Sequence, residues 1–387
     1  MGPVTSTGLI RDLTDEEARR ALPHKWGSVA PDVLPAWVAE MDFAAAPPIT
    51  AALHRAVNDS AFGYPPFDDH DALGTAYAGF AERHFRQQVD PDQVLPVVDV
   101  TAGVRLVLDV WCDPGPVVLP TPAYSPQLDV IPVAGRELWA LPLDPDAPSA
   151  ELDLDHLDAL LARGARTLLL THPHNPLGHV YRRTELEGIR DVALRHGARV
   201  ISDEIHGPLV LPGAQHVPYL TLDGTAEHAV AVLASSKAFN TAGLKCGQIV
   251  TTDPATRDLL RDVPMVRNDS WSVLGAIAAI AAYAEGDAWL AALVERLDQQ
   301  RILLGSLVAE QLPLARMRPL EATYLAWLDL RGYGHDDPAA LALDKGRVHV
   351  EAGHRYQPEL AGHVRVNLAT SPERLTEIVR RLAAAIG

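Results

Sequence analysis

Cysteine is nearly absent from this chain. Its 387 residues hold two, Cys112 and Cys246, in no recognisable spacing. A disulfide framework is therefore not expected, and a reducing cytoplasm suits the composition. Basic charge is scarce as well. Fifty acidic residues face 33 lysines and arginines, for a formal charge of −17 with no basic cluster to offset it. That balance argues against nucleic acid and anionic membranes as partners and favours solubility. No apolar run reaches transmembrane length, and residues 1–30 lack an apolar signal core, so neither a membrane span nor secretion is expected. Met1, Gly2 and Ser6 formally fit a myristoylation pattern, but the match is too short to carry weight.

Lysine is the rarest of the charged residues: only Lys25, Lys237, Lys245 and Lys345 occur. One of them ends the most informative stretch. Residues 229–234 are apolar without alternation, as in a buried parallel strand, and they stop at Ser235, Ser236 and Lys237. A rigid strand thus delivers Lys237 to a cleft. Held against apolar surroundings, a lysine sheds its proton and becomes the nucleophilic amine that Schiff-base chemistry requires. Taken alone, the stretch would equally suit a lysine capping a strand at the surface.

At this length two domains are expected, or a large domain carrying a smaller one. Residues 15–22 are a candidate helix in a polar lead-in segment. In Leu34-Pro-Ala-Trp-Val-Ala-Glu-Met-Asp-Phe43, residues Trp37, Met41 and Phe43 also fit a plain core. Phe62-Gly-Tyr-Pro-Pro-Phe67 pins Tyr64 in a turn-rich loop, where a phenol can donate to an anion or simply pack. A strand over 94–100 leads into Thr101-Ala-Gly-Val, where a small-residue turn entering a helix would leave the N–H groups of Ala102, Gly103 and Val104 for a phosphate. A strand at 117–119 sets Tyr124 at its end, where a planar ligand could stack.

Regular strand and helix alternation follows. Leu154, Leu157, Leu160 and Leu161 mark a helix that Gly164 can end, and a strand over 166–171 stops at His172-Pro-His-Asn-Pro-Leu-Gly178. Thr184 and Glu187 have capping-box spacing for a helix closed by Gly197, and a strand over 198–202 stops at Asp203-Glu-Ile-His206. Such units build a parallel sheet whose site lies beyond the carboxyl ends of its strands, so Asn175, Asp203 and Lys237 are expected on one edge. Residues 141–149 read as a proline-rich surface connection. From 272 to 310 a long, broken helix is expected, then strands at 323–330, 346–351 and 363–368 and a final helix capped by Ser371. His172 and His174 alternate as metal ligands might, but no third ligand stands near, and no metal is expected.

Pyridoxal 5′-phosphate needs an amine for its aldehyde, a carboxylate facing its ring nitrogen, a phosphate cradle and a surface to lie on. Lys237 can supply the amine and Asp203 the carboxylate. Asn175 can donate to the ring's phenolic oxygen, Tyr124 can stack, and Ser236 with the 102–104 turn can hold the phosphate.

With these residues in place the chain resembles the fold-type I pyridoxal-phosphate enzymes of the class I/II aminotransferase superfamily, over almost its whole length. The motifs that carry the resemblance are Asn175 in Asn-Pro-Leu-Gly, Asp203 in Asp-Glu-Ile-His, Lys237 in Ser-Lys-Ala-Phe and Arg365 in Arg-Val-Asn-Leu. It implies a large α/β domain with a mixed, mainly parallel sheet over 46–275, a smaller α+β domain over 276–387, and residues 1–45 as an arm to the small domain and the site entrance. It also implies that Arg365 grips the substrate α-carboxylate, with Asn175 and Trp37 beside the substrate, and that His206 lies near the phenolic oxygen. Tyr64 would serve the neighbouring subunit's phosphate, which implies a homodimer with shared sites. Two positions depart from the family pattern: Ala234 stands where a phosphate-binding serine is common, and Lys245 where many relatives carry arginine.

Within the superfamily, residues 34–43, 202–206, 236–240 and 324–331 resemble the cystathionine β-lyase-like MalY/PatB branch. The expected reaction is β-elimination from an S-conjugated L-cysteine, a small amino-acid substrate, to a thiol, pyruvate and ammonia. Rival readings are an aminotransferase, a relative that couples deamination of an S-cysteine conjugate to decarboxylation, and a non-catalytic binding protein.

Overall fold

A computed structural model describes residues 8–65, 71–268 and 270–387. The Met1–Gly2–Ser6 pattern, and Pro66 and Phe67 of the tyrosine loop, lie outside them. A short strand, β1 (Leu34–Ala36), precedes the main sheet of β2 (Val94–Val97), β3 (Val117–Thr121), β4 (Leu138–Pro142), β5 (Thr167–Thr171), β6 (Arg199–Asp203), β7 (Ala229–Leu233) and β8 (Gly247–Val250). Their order is β2-β8-β7-β6-β5-β3-β4. Strands β3 to β7 pair in parallel, and β8 runs antiparallel to both its neighbours. Every residue of β3, β5 and β7 is buried, which is why these strands read as unbroken apolar runs.

Helix 100–110 lies on this sheet closely enough that a Cβ at Gly103 would sit 2.7 Å from Val232 Cγ1. Glycine there serves helix–sheet packing. The second sheet takes β9 (Arg316–Met317), β10 (Leu325–Asp329), β11 (Val348–Ala352) and β12 (His363–Asn367) in the order β1-β11-β12-β10-β9. Because β1 pairs in parallel with β11, the segment after β1 is led from the small sheet toward the carboxyl edge of the large one.

Two local expectations shift, and the expected break in the alanine-rich helix is located. Helix Arg183–His196 begins earlier than its Thr184–Glu187 spacing suggests, because Glu185 accepts from the Arg182 N–H at 2.6 Å and satisfies the N-cap there. Residues 141 and 142 belong to edge strand β4, so the surface connection starts after them. The alanine-rich helix is two helices, Val273–Glu285 and Asp287–Gln311, at 82°. The break falls at Gly286, where a side chain would run into the Ala282 carbonyl and the Phe239 ring. No single helix among the described residues is long and apolar enough to cross a membrane. Both cysteines are free and buried.

The N-terminal segment is fixed by a buried ionic cluster. Lys25 Nζ lies 2.9 Å from Asp42 Oδ1 and donates to the Glu40 carbonyl at 3.0 Å, while Trp26 Nε1 donates to the same carboxylate at 2.7 Å. Lys25 is 1 % and Asp42 0 % exposed, and Arg374 approaches Asp42 from the last helix. Removing one partner strands the other charge in the core. Asp42→Ala is expected to cost about 3–5 kcal/mol, read as a lowered Tm, whereas the paired Lys25→Met, Asp42→Leu replacement should recover most of that loss.

Candidate active site

The carboxyl ends of β5, β6 and β7 face a cavity of about 340 Å³ that is closed from the other side by β11, β12 and the segment after β1. Asp203 is the last residue of β6 and is 4 % exposed. Its Oδ2 accepts from Gln127 Nε2 at 2.8 Å and its Oδ1 from the Ile205 N–H at 3.2 Å. Gln127 is itself fixed by Thr171 Oγ1, which donates to its Oε1 at 2.8 Å. Burial pushes the Asp203 carboxyl up to about 7, against the pull of those two donors. Among the described residues no cation forms a direct ion pair with it, and Lys237 acts on it only from a distance.

Lys237 follows β7 in the short helix Ser236–Phe239. Its Nζ donates to the Ala39 carbonyl at 3.2 Å. Burial, helped by the positive charge of Arg365, lowers the amine to about 8. Arg365, on β12, is 4 % exposed and donates to Asn175 Oδ1 at 3.0 Å and to the Trp37 carbonyl at 2.8 Å. Its Nε has no partner among the described residues, and its guanidinium lies 5.1 Å from the Tyr356 ring centroid. Burial depresses the His206 imidazole to about 3, so the ring lining this cavity is neutral, with Nδ1 unpartnered among the described residues. Tyr124 lines the same space, its phenol pushed up by burial.

At the helix end of the cavity the expected cradle is displaced. Helix Val100–Val110 is capped by Asp99, whose Oδ1 accepts from the Ala102 N–H at 2.9 Å, and Gly103 and Val104 are buried against the sheet. Asp99, Val100 and Thr101 line the cavity in place of Ala102, Gly103 and Val104. The glycine that suggested an anion turn is spent on packing. Ser236 and Lys245 do face this end, but Lys245 Nζ donates to Asp99 Oδ2 at 2.8 Å. The cradle therefore holds an acid beside its cation.

The structure thus gathers Trp37, Tyr124, Asn175, Asp203, His206, Ser236, Lys237, Lys245 and Arg365 around one cavity. Tyr64 is 92 % exposed and does not line it. Glu204 is occupied structurally, accepting from Ser202, from the Tyr219 N–H and from His216. Sequence reasoning missed Asp99, Gln127, Glu351, Arg355 and Tyr356. Only the Asp99 position, an N-cap residue ahead of an apolar helix, carried a usable signal. The site suits the expected cofactor. A buried carboxyl short of a cation matches a protonated ring nitrogen, and a depressed amine on the same cavity matches an aldehyde.

Asp203 makes that fit testable in the cofactor-free protein. Its folded value of about 7 lies above the ordinary 3.8, so the folded state binds more protons than the unfolded one between those values. Stability contributed by this group is therefore full below pH 4 and falls as pH rises to 7. Cofactor-free Asp203→Asn should be more stable to unfolding than the cofactor-free parent at pH 8, by about a few kcal/mol, and the two should converge near pH 4. Addition of cofactor should raise Tm more for the parent than for the variant.

Comparison with known proteins gives the same reading. The family model for aminotransferase class I and II matches residues 36–382. The cystathionine beta-lyase of Corynebacterium glutamicum is 35 % identical, over 97 % of this chain and 99 % of its own length. The cystathionine beta-lyase PatB of Bacillus subtilis is 32 % identical, over 92 % and 93 %. A crystal structure from Corynebacterium diphtheriae, provisionally assigned as a pyridoxal-phosphate-dependent beta-cystathionase, superposes with a TM-score of 0.92 at 34 % identity over 97 % of this chain and 99 % of that one. With its fold, its buried amine and acid, and these relatives in agreement, the chain belongs to the class I and II aminotransferase family, in the MalY/PatB-like branch, and is a pyridoxal-phosphate-dependent carbon–sulfur lyase.

Proposed function

We propose that the enzyme cleaves S-conjugated L-cysteines by β-elimination, giving a thiol, pyruvate and ammonia. The observation that carries this reading is the likeness to cystathionine beta-lyases over 92–97 % of the chain, on a fold whose cavity brings Lys237, Asp203 and Arg365 together. Pyridoxal 5′-phosphate, when bound, supplies the sink for the electron pair released at the substrate α-carbon. Lys237 would hold its aldehyde, Asp203 its ring nitrogen, Asn175 its phenolic oxygen and Tyr124 its face. Val100, Thr101, Ser236 and Lys245 would hold its phosphate.

Arg365 would fix the substrate α-carboxylate, since its guanidinium is already braced by Asn175 and the Trp37 carbonyl and keeps a free Nε. That grip would orient the Cα–H bond toward Lys237, whose Nζ, freed when the substrate amine takes its place on the aldehyde, would take the α-proton as general base. The thiolate then leaves the β-carbon with the C–S bonding pair and is protonated, and one water converts the remaining three-carbon unit to pyruvate and ammonia. Neutral His206 adds no competing charge near the amine. A second copy of the chain belongs to the proposal, with Tyr64 reaching the partner's phosphate end. Its exposure, and that of the apolar Phe62, Met265 and Val266, supports this.

Product analysis across a panel of S-substituted L-cysteines tests the reaction. Equal amounts of thiol and pyruvate without added keto acid are expected. Turnover that requires a keto acid would replace the lyase reading with transamination, and carbon dioxide release would point to decarboxylation-linked deamination. Lys237→Ala should lower kcat by at least about 10³-fold. The acid in the cradle gives a separate readout. Asp99→Asn keeps the helix cap and removes a charge that opposes phosphate, so titration of the cofactor-free protein should show a Kd for pyridoxal 5′-phosphate lower by about fivefold, the upper end for a solvent-screened charge.

A further inference from the structure

Asn175 is carried by a loop between β5 and helix Arg183–His196. The loop closes on itself, with the Gly178 N–H donating to the His174 carbonyl and the His174 N–H to that of His179, both at 2.8 Å. It is also pressed against the connection from β9 to β10. The Gly178 carbonyl accepts from the N–H groups of Glu321 at 3.0 Å and Ala322 at 3.2 Å, and a Cβ at Gly178 would sit 2.5 Å from Leu320 Cδ1. Beside this contact His179, 5 % exposed, stands between two acids: its Nε2 is 3.0 Å from Glu185 Oε1 and its Nδ1 3.2 Å from Glu321 Oε2. Resting on the assignment of Asn175 to the cofactor's phenolic oxygen, we propose that His179 is the positioning residue for Asn175, a buried imidazolium that clamps the loop to the small sheet.

The geometry fixes the protonation state. A carboxylate oxygen faces each ring nitrogen, and only the doubly protonated ring can donate to both. Each acid is itself held in place. Glu185 accepts from the Arg182 N–H at 2.6 Å with its other oxygen, and Glu321 Oε2 accepts from the Val180 N–H at 2.9 Å while Arg182 pairs with Oε1. Against burial, His179, the Val180 N–H and Arg182 hold the Glu321 carboxyl down to about 2. Burial also works against charge on the His179 ring, yet the two carboxylates keep it above its ordinary value. The other ionisable groups packed here leave that balance in place. Tyr181 presents its ring 4.8 Å away at 89°, and burial keeps it a neutral phenol. Burial likewise keeps His172 and His174 neutral, and Arg318 acts on Glu321 from the same side as Arg182. Because the folded value lies above the ordinary 6.5, the stability contributed by His179 is full below pH 6.5 and is lost as pH rises through the raised value. A neutral ring would donate to one acid and turn a lone pair on the other.

Titration of the cofactor-free full chain with pyridoxal 5′-phosphate, from about pH 6 to about pH 9, tests the clamp. Lys237 and Asp203 titrate in parent and variants alike, so the ratio of variant to parent Kd isolates His179. His179→Gln should bind the cofactor about tenfold more weakly at the acid end, with the ratio falling toward one as the parent ring loses its proton. In an Asn175→Ala background the same substitution should change Kd by no more than about twofold. Glu185→Gln serves if His179→Gln does not fold. Its amide oxygen keeps the Arg182 N–H and its NH2 group donates to a neutral ring, so the pH at which affinity steps down should move lower. A ratio independent of pH, a full loss from His179→Gln with Asn175 already removed, or an unmoved step in Glu185→Gln would overturn the clamp. Asn175→Ala binding as tightly as the parent would overturn the assignment of Asn175 and the clamp with it. No amino-acid substrate enters these titrations, so failure of the S-substituted cysteine panel would remove the lyase reading and leave His179 where it stands.

Discussion

Desolvation governs this protein. Taking a carboxyl and an amine out of water together raises one to about 7 and lowers the other to about 8, and in both cases burial is the largest cause. Neither group is comfortable charged. The carboxyl wants a cation, and the amine is ready to give up its proton and form a covalent bond. A ligand that carries a basic aromatic nitrogen and an aldehyde answers both needs at once. The strands that deliver these groups are apolar and covered on both faces, so the same architecture that folds the sheet also dries the site at its edge.

Water is kept out on the opposite side by backbone that has no ladder of its own. From Trp37 to Met41 the chain crosses between the sheets, and its polar groups must find partners in side chains. They do: Arg365 donates to the Trp37 carbonyl, Asn367 to the carbonyls of Val38 and Glu40, and Lys237 and Tyr324 to that of Ala39. Asn240 both donates to and accepts from Met41. These donors come from β12, from the segment before β10 and from the short helix after β7 with its C-cap Asn240, so the segment ties both sheets to the cavity wall. The amine, the guanidinium and the covering backbone are one connected unit.

That unit explains what could be read from the sequence and what could not. Asn175, Asp203 and Lys237 were legible because fully buried strands print as unbroken apolar runs, and the polar residue that ends such a run stands at the site edge. The 34–43 stretch was recognisable as a motif, but its residues alternate in no simple way because its hydrogen bonds are to side chains far off in the sequence. Gly103 misled for a definite reason: glycine permits close approach of backbone to a phosphate and of helix to sheet, and only the contact with Val232 tells which applies. Gln127 was invisible. It sits in the first turn of a helix and matters because Thr171, 44 residues away, turns its amide toward Asp203.

The difference between lysine and arginine matters in the same place. Arginine keeps its proton in nearly any protein environment, whereas a lysine can lose one when burial raises the cost of its charge. The positive charge of Arg365 helps hold the neighbouring Lys237 low. If position 365 were lysine, the two amines would share the depression, and the group meant to grip an anion could become the one that gives up its proton. Lys25 shows the contrasting solution. It is equally buried and its amine is also lowered, but a full carboxylate at 2.9 Å, that of Asp42, opposes the shift. Lys237 has only a carbonyl at 3.2 Å and a more distant acid. What separates a structural lysine from a reactive one here is whether the nearest oxygen bears a charge.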